Sequence, residues 1–222
     1  MEVTIPAKPE PVTLDIARAA LVVVDMQNSF AKKGGMMDHF GKLDAAMAER
    51  VIAADKMLIG AFRKKGIKIV YLRMTYNAAD AANAESPFYW KEHGLKAARA
   101  NPELKGRFLT QGTWDREIVD ELKPEEQDTV IDKSRFSGFV NTGLDAGLKA
   151  LNIKYLFFIG LFTNICVEST ARDAFSHEYF PILIEDACGN MGPDFIREAT
   201  AWNIAAAFGW VAAGGDVIKA LG

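Results

Sequence analysis

A chain of 222 residues can bury a sizeable core without disulfides or a structural metal, and it suits one α/β domain better than two. Half the residues are apolar and a quarter charged, which excludes a disordered chain, and 26 basic against 29 acidic residues (net −3) give no electrostatic footprint for nucleic acid or an anionic membrane. Two cysteines are too few for a disulfide framework, and no apolar run reaches the ~18–20 residues of a membrane span. Met1 to Glu10 carries charges and prolines instead of a signal-peptide core, so a cytoplasmic protein is expected.

Short apolar runs alternate with helical patterns along the chain. Ala19–Val24, Ile67–Leu72, Thr129–Ile131, Tyr155–Ile159 and Phe180–Ile184 read as strands. They are rich in branched and aromatic residues, and several lack polar alternation, as parallel strands covered on both faces do. Helices are predicted over Asp44–Lys65, Asp115–Leu122, Leu144–Leu151, Cys166–His177 and Asp194–Phe208. In the first of these, Met47, Val51, Ala54, Leu58 and Phe62 keep a helical spacing and Gly66 stands at the C-cap position. The alternation predicts right-handed βαβ units in a single three-layer α/β/α sandwich, with a mainly parallel six-stranded sheet, spanning residues 1–222. The stretch 74–112 breaks the rhythm, being far longer than the usual connection of about 2–6 residues. It carries Tyr76, Phe88, Tyr89, Trp90 and His93, with a predicted helix through Leu95–Arg99. It reads equally as a lid over a site and as a packing or dimer arm.

In open α/β sheets, ligands bind beyond the carboxyl ends of the strands. Asp25 ends the first strand, Lys133 follows the third, and the fourth runs through Gly160–Ile165 into Cys166. Cys166 opens a predicted helix, where unpaired N–H groups and the helix dipole favour a thiolate, and a nearby lysine adds to this. The same N–H groups can receive a developing oxyanion, and Asp25 can take the thiol proton and return it to a leaving nitrogen. Cys188 has no such partner in the strand order and reads as a small buried hydrophobe. A Cys–His pairing fails, because His177 lies eleven residues after Cys166 on one predicted helix, about 16 Å away at ~1.5 Å per residue. His39 and His93 fall in loops and read as surface residues. No H-x-x-x-H, C-x-x-C, G-x-G-x-x-G or G-K-[ST] pattern occurs, so no metal, dinucleotide or other cofactor is expected.

On the segments LVVVDMQNSF, VIDKSRFSGF and GLFTNICVESTARDAF, the chain resembles the isochorismatase-like cysteine hydrolases over nearly its whole length. The resemblance implies a catalytic Asp25–Lys133–Cys166 set, a cis peptide at Leu161–Phe162, an oxyanion hole from the amides of Phe162 and Cys166, and a homo-oligomer. Within the family the likeness is greatest to ureidoacrylate amidohydrolases, through NPELKGRFLTQGTWD, SRFSGFVNT, TNICVESTARDAF and WNIAAAFGWV. It implies hydrolysis of a small ureido or carbamoyl amide through a cysteine thioester, without a cofactor. Gln27, Tyr76, Trp90, Phe136 and Asn164 are the candidate substrate-binding residues. Met74-Thr75-Tyr76 replaces the Asn-Gly-Trp of those enzymes and Phe136 a tyrosine, which keeps triuret or biuret open as substrates. True isochorismatases lack the nucleophilic cysteine, and Cys166 argues against that class. The non-enzyme alternative is a catalytically silent α/β binding scaffold.

Overall fold

The computed structural model describes residues 1–222, apart from the side chain of Asp80. Its strands are β1 (Glu2–Ile5), β2 (Val12–Asp15), β3 (Ala19–Val24), β4 (Lys68–Met74), β5 (Thr129–Lys133), β6 (Tyr155–Leu161), β7 (Phe180–Gly189) and β8 (Trp210–Ala212). The first five helices are α1 (Asn28–Ala31), α2 (Met36–His39), α3 (Ala45–Lys64), α4 (Ala78–Ala82) and α5 (Pro87–Lys91). The rest are α6 (His93–Ala100), α7 (Leu144–Ala150), α8 (Glu168–Ser176), α9 (Asp194–Asn203) and α10 (Gly214–Leu221).

Strands β3 to β8 form one parallel sheet in the order β5-β4-β3-β6-β7-β8, and β1 and β2 pair as a separate antiparallel hairpin. Every residue of β3 is buried, because the sheet is covered on both faces. Leu21 and Val23 join Phe62, Phe157 and Ile159 in the layer beneath α3, while Ala20, Val22 and Val24 join Phe158, Val167 and Ala171 beneath α7 and α8. The alternating assignment follows the two-residue period of a strand. Helix α3 starts where the Asp44 side chain accepts from Met47 N at 2.9 Å, and it ends before Gly66, whose φ of +67° suits a residue without Cβ.

The sheet order puts the chemistry together. Val24 pairs with Gly160 and Met74 with Lys133, so the ends of β3, β5 and β6 share one edge of the sheet. Gly160 has φ +110°, and a Cβ built on it would lie 2.2 Å from Val24 O. Only glycine lets β6 approach β3 this closely before the turn that carries Cys166.

Three elements differ from the sequence reading. The stretch Asp115–Leu122 is not one helix but two 3-10 turns, Trp114–Arg116 and Asp120–Leu122. The backbone between them is taken by a bridge from Gln27 to Ile118, with Asn28 N on Glu117 O and Val119 N on Met26 O, both 2.9 Å, and these bonds cannot coexist with a helix ladder. The Cys166–His177 helix begins as a π-helical turn over Thr163–Val167, followed by α8. The run Asp194–Phe208 likewise passes from α9 into a π turn at Ile204–Phe208. The sixth strand, β8, and the β1–β2 hairpin are too short for a clear pattern in sequence.

The long excursion after β4 is fastened to the sheet. Tyr76 bridges to Thr110, and buried Asp115 accepts from Met36 N at 3.0 Å and Leu109 N at 2.8 Å. Arg116 bonds Asp132 at 2.5 Å and Thr75 Oγ1 at 2.9 Å, while Arg73 bonds Asp132 at 2.8 Å and Glu117 at 3.0 Å. Among the described residues no helix is long and apolar enough to cross a membrane.

Asp55 is the anomaly of the core. It is fully buried on α3, and neither carboxyl oxygen has a hydrogen-bond partner. Burial pushes its carboxyl well above the ordinary carboxylate range, and the charge of Arg50 offsets this only in part. The folded state therefore holds the Asp55 proton to higher pH than the unfolded chain, and its stability falls as pH rises from about 4 upward. Replacing Asp55 with Leu is expected to raise stability at neutral pH by about 1–3 kcal/mol. The gain over wild type should shrink as pH falls toward about 4. Thermal denaturation of both proteins across that range checks it, and a pH-independent gap would refute the assignment.

Candidate active site

Asp25 leaves β3 in left-handed backbone (φ +50°), its N–H bonded to Leu72 O at 2.9 Å. Its Oδ1 accepts from Met74 N at 3.0 Å and its Oδ2 from Lys133 Nζ at 2.8 Å. The lysine comes from the last residue of β5, its side chain fully buried. Nζ also donates to Arg135 O at 3.2 Å. The charges of both groups act on the Cys166 thiol, and Asp25 and Cys166 line the same cavity. The structure thus gathers Asp25, Lys133 and Cys166 at one edge of the sheet, from three strand ends.

Burial lifts the Asp25 carboxyl above its ordinary range, against the pull of Lys133 and of the Met74 N–H. Burial works to lower Lys133, but the Asp25 charge opposes it and the ammonium is held above its ordinary range. The thiol of Cys166 is pushed well up by burial and then by the Asp25 carboxylate, with Lys133 pulling the other way. This corrects the expectation of a thiolate at a helix N-terminus. Cys166 lies inside the π turn, not at the first turn of α8, and its surroundings favour the neutral thiol at rest.

The turn itself is tightly specified. The peptide Leu161–Phe162 is cis, and Val167 N bonds Phe162 O at 3.3 Å across the π turn. Thr170 Oγ1 donates to Cys166 O at 2.6 Å and accepts from Gly138 N at 3.1 Å, tying the Cys166 turn to the loop after β5. A π turn of this kind is frequent at functional sites.

A small cavity of about 60 Å³ opens beside Cys166 and Asp25, walled by Phe30, Met37, Phe136 and Phe162 and by Glu92 and His93 of the excursion. Of the candidate substrate residues, Phe136 borders it. Gln27 does not: its Nε2 is held by Met74 O at 2.9 Å and Arg116 O at 2.7 Å, and its Oε1 by Met74 N at 2.8 Å. Asn164 clamps the backbone of Met191, with 3.0 Å bonds to both its N–H and its carbonyl, and Met191 lines the cavity in its place. Tyr76 is buried behind the wall, edge-on to Phe88, facing a separate cavity of about 410 Å³ with Leu95, Leu104 and Phe108. Trp90 is 54% exposed, its indole donating to Ala84 O at 2.8 Å, outside the cavity beside Cys166.

His93, read as a surface residue, is half-buried in the cavity wall, and burial with the nearby Lys42 charge holds it below its ordinary range. The capping role of Glu92 at α6 brings this segment over the site, and nothing in the sequence motif exposes that. His39 packs against Phe40 and Phe108, and His177 stacks on Phe139 with centroids 4.8 Å apart. Cys188 is fully buried in β7. Among the described residues no cluster of three or more His, Cys, Asp or Glu side chains is placed to hold a metal ion.

A family model described as the isochorismatase domain matches residues 19–216. The chain is 46% identical over 216 residues to the ureidoacrylate amidohydrolase RutB of Rhizobium rhizogenes, covering 96% of this chain and 87% of that protein. It is 45% identical to the enzyme of the same name from Agrobacterium fabrum, covering 96% and 94% of the two chains. Among solved structures it is similar to a cysteine hydrolase from Pseudomonas syringae pv. phaseolicola (TM-score 0.77, 26% identity, 100% and 97% coverage). It is also similar to the N-carbamoylsarcosine amidase of Thermoplasma acidophilum (TM-score 0.66, 29% identity, 89% and 96% coverage). With the sheet order and these matches together, the chain belongs to the isochorismatase family and is a hydrolase of it.

Proposed function

We propose that this protein is a cysteine amidohydrolase that cleaves a C–N bond of a small ureido amide of the ureidoacrylate type. The observation that carries the reading is the buried Asp25–Lys133 ion pair set beside Cys166, with Asp25 and Cys166 lining one cavity. The relatives' names, ureidoacrylate amidohydrolase, support the substrate class. Asp25 accepts the thiol proton as Sγ bonds to the ureido carbonyl carbon, and Lys133 balances the charge. The amides of Phe162 and Cys166 receive the oxyanion. The C–N bond breaks as Asp25 returns the proton to the leaving nitrogen. Water, deprotonated by Asp25, then attacks the thioester and frees Cys166.

The 222 residues act as one cytoplasmic domain, and the 74–112 excursion closes over the substrate. A cavity of about 60 Å³ is smaller than the ~300 Å³ of ordinary ligand pockets, which supports a wall that yields when substrate enters. Phe195 and Trp202, 66% and 71% exposed on α9, give the protein apolar surface for a homo-oligomer.

Cys166→Ser is expected to keep the fold and abolish ammonia release from ureidoacrylate, and Asp25→Asn to lower kcat at least ~10²-fold. Mass spectrometry with a slow substrate should find the adduct on Cys166; full activity in Cys166→Ser, or an adduct on Cys188, would overturn the mechanism.

The charges around the thiol make a second expectation with opposite signs. Asp25→Asn removes the anion that raises Cys166, so its alkylation profile should move to lower pH. Lys133→Met removes the cation that lowers it, so the profile should move to higher pH. A pH-resolved iodoacetamide series reads both, and shifts in the same direction would show that the charges do not govern the thiol.

Phe136→Tyr adds a hydroxyl to the cavity wall. It is expected to preserve or improve kcat/KM for ureidoacrylate and to lower that for triuret, by ~1–3 kcal/mol in transition-state terms where the hydroxyl finds no partner. Better turnover of triuret than of ureidoacrylate by wild type would assign the linear carbamoyl compound instead.

A further inference from the structure

Glu92 links α5 to α6 and is 4% exposed, a degree of burial that carboxylates seldom reach without partners. Its Oε2 accepts from Leu95 N at 3.0 Å. A carboxylate offers about four acceptor directions, so acceptor capacity is left, and the residue borders the catalytic cavity with Cys166. Lys91, one position earlier, is exposed, borders the same cavity, and has no ion pair among the described residues. Phe30, Met37, Phe136 and Phe162 make the other walls apolar. The cavity therefore has acceptors inside, at Asp25 and Glu92, and a cation at its exposed side. An anionic group would be repelled from the interior and held at Lys91, whereas an uncharged group rich in N–H donors fits the interior.

We infer that Glu92 is a specificity-determining residue that accepts from the ureido N–H groups of the substrate, while Lys91 holds a carboxylate at the substrate's other end. The site then takes anionic N-carbamoyl compounds with the ureido group inward, in preference to uncharged oligo-ureas. This rests on the amidohydrolase reading above and adds to it the orientation and charge of the substrate.

The test compares kcat/KM of wild type, Lys91→Met and Glu92→Gln on ureidoacrylate and on its uncharged methyl ester. Lys91→Met should lower kcat/KM for the acid about tenfold, through KM, and change that for the ester less than about twofold. Added salt should raise the wild-type KM for the acid only. Glu92→Gln keeps an oxygen for Leu95 N and should leave Tm unchanged, yet lower kcat/KM at least about tenfold on both compounds, because one acceptor has become a donor. A merely structural role for Glu92 would move Tm instead. Equal effects of Lys91→Met on acid and ester, or an unchanged kcat/KM in Glu92→Gln, would overturn the inference while turnover by wild type upholds the amidohydrolase reading. Turnover of neither compound by wild type would overturn both.

Discussion

The buried ion pair between Asp25 and Lys133 is the constraint on which the rest of the molecule depends. Two charges removed from water are held only where geometry and further hydrogen bonds compensate, and breaking such a pair costs about 3–5 kcal/mol. Here the compensation is supplied by backbone. Met74 N–H supports the carboxylate and Arg135 O the ammonium, so the pair locks β3, β4 and β5 into one register at their carboxyl ends. Cys166 enters from the other side, on the π turn that follows β6, the strand next to β3. Catalytic geometry and sheet register are thus one arrangement. A slip of one residue in any of these strands would turn a charged group onto the opposite face of the sheet.

Much of this was legible in the sequence, for physical reasons. The runs Ala19–Val24 and Tyr155–Ile159 are apolar at every position because the sheet is covered on both sides, and only parallel α/β architecture demands that. Asp, Lys and Cys stood out because polar groups immediately after such runs can lie only at the sheet edge. The family segments around them carried the cis peptide at Leu161–Phe162 as well. What escaped were features fixed by tertiary contact. The stretch Asp115–Leu122 has a helical composition, but its backbone is bonded to Met26 and Asn28 from outside the segment. Gln27 has the chemistry of a substrate ligand, yet its amide is consumed in holding Met74 and Arg116. The state of Cys166 was misread because local sequence shows the helix that follows but not the burial and the carboxylate that oppose ionisation.

The resting electrostatics also bear on how reactivity is kept in reserve. A permanently ionised thiolate in this site would face the Asp25 carboxylate at close range, and burial would penalise both charges. Holding the proton on sulfur avoids that state, and in the proposed mechanism the Asp25–Lys133 pair remains intact until an electrophilic carbon is in place to take the sulfur's electrons. The cost is deferred to the encounter with substrate, where bond formation offsets it.

The fastening of the excursion divides the molecule into parts with different tolerance for sequence change. Its two ends are stitched to the sheet by the Tyr76–Thr110 bridge, the Asp115 carboxylate and the Arg73–Asp132–Arg116 cluster. Between them, the chain reaches the catalytic cavity through the short joint Lys91-Glu92-His93. Replacements at that joint alter what stands opposite the nucleophile without entering any strand, whereas replacements at the strand ends disturb register and chemistry together. Change confined to this three-residue joint can therefore alter what the cavity admits while the register fixed by Asp25 and Lys133 is left untouched.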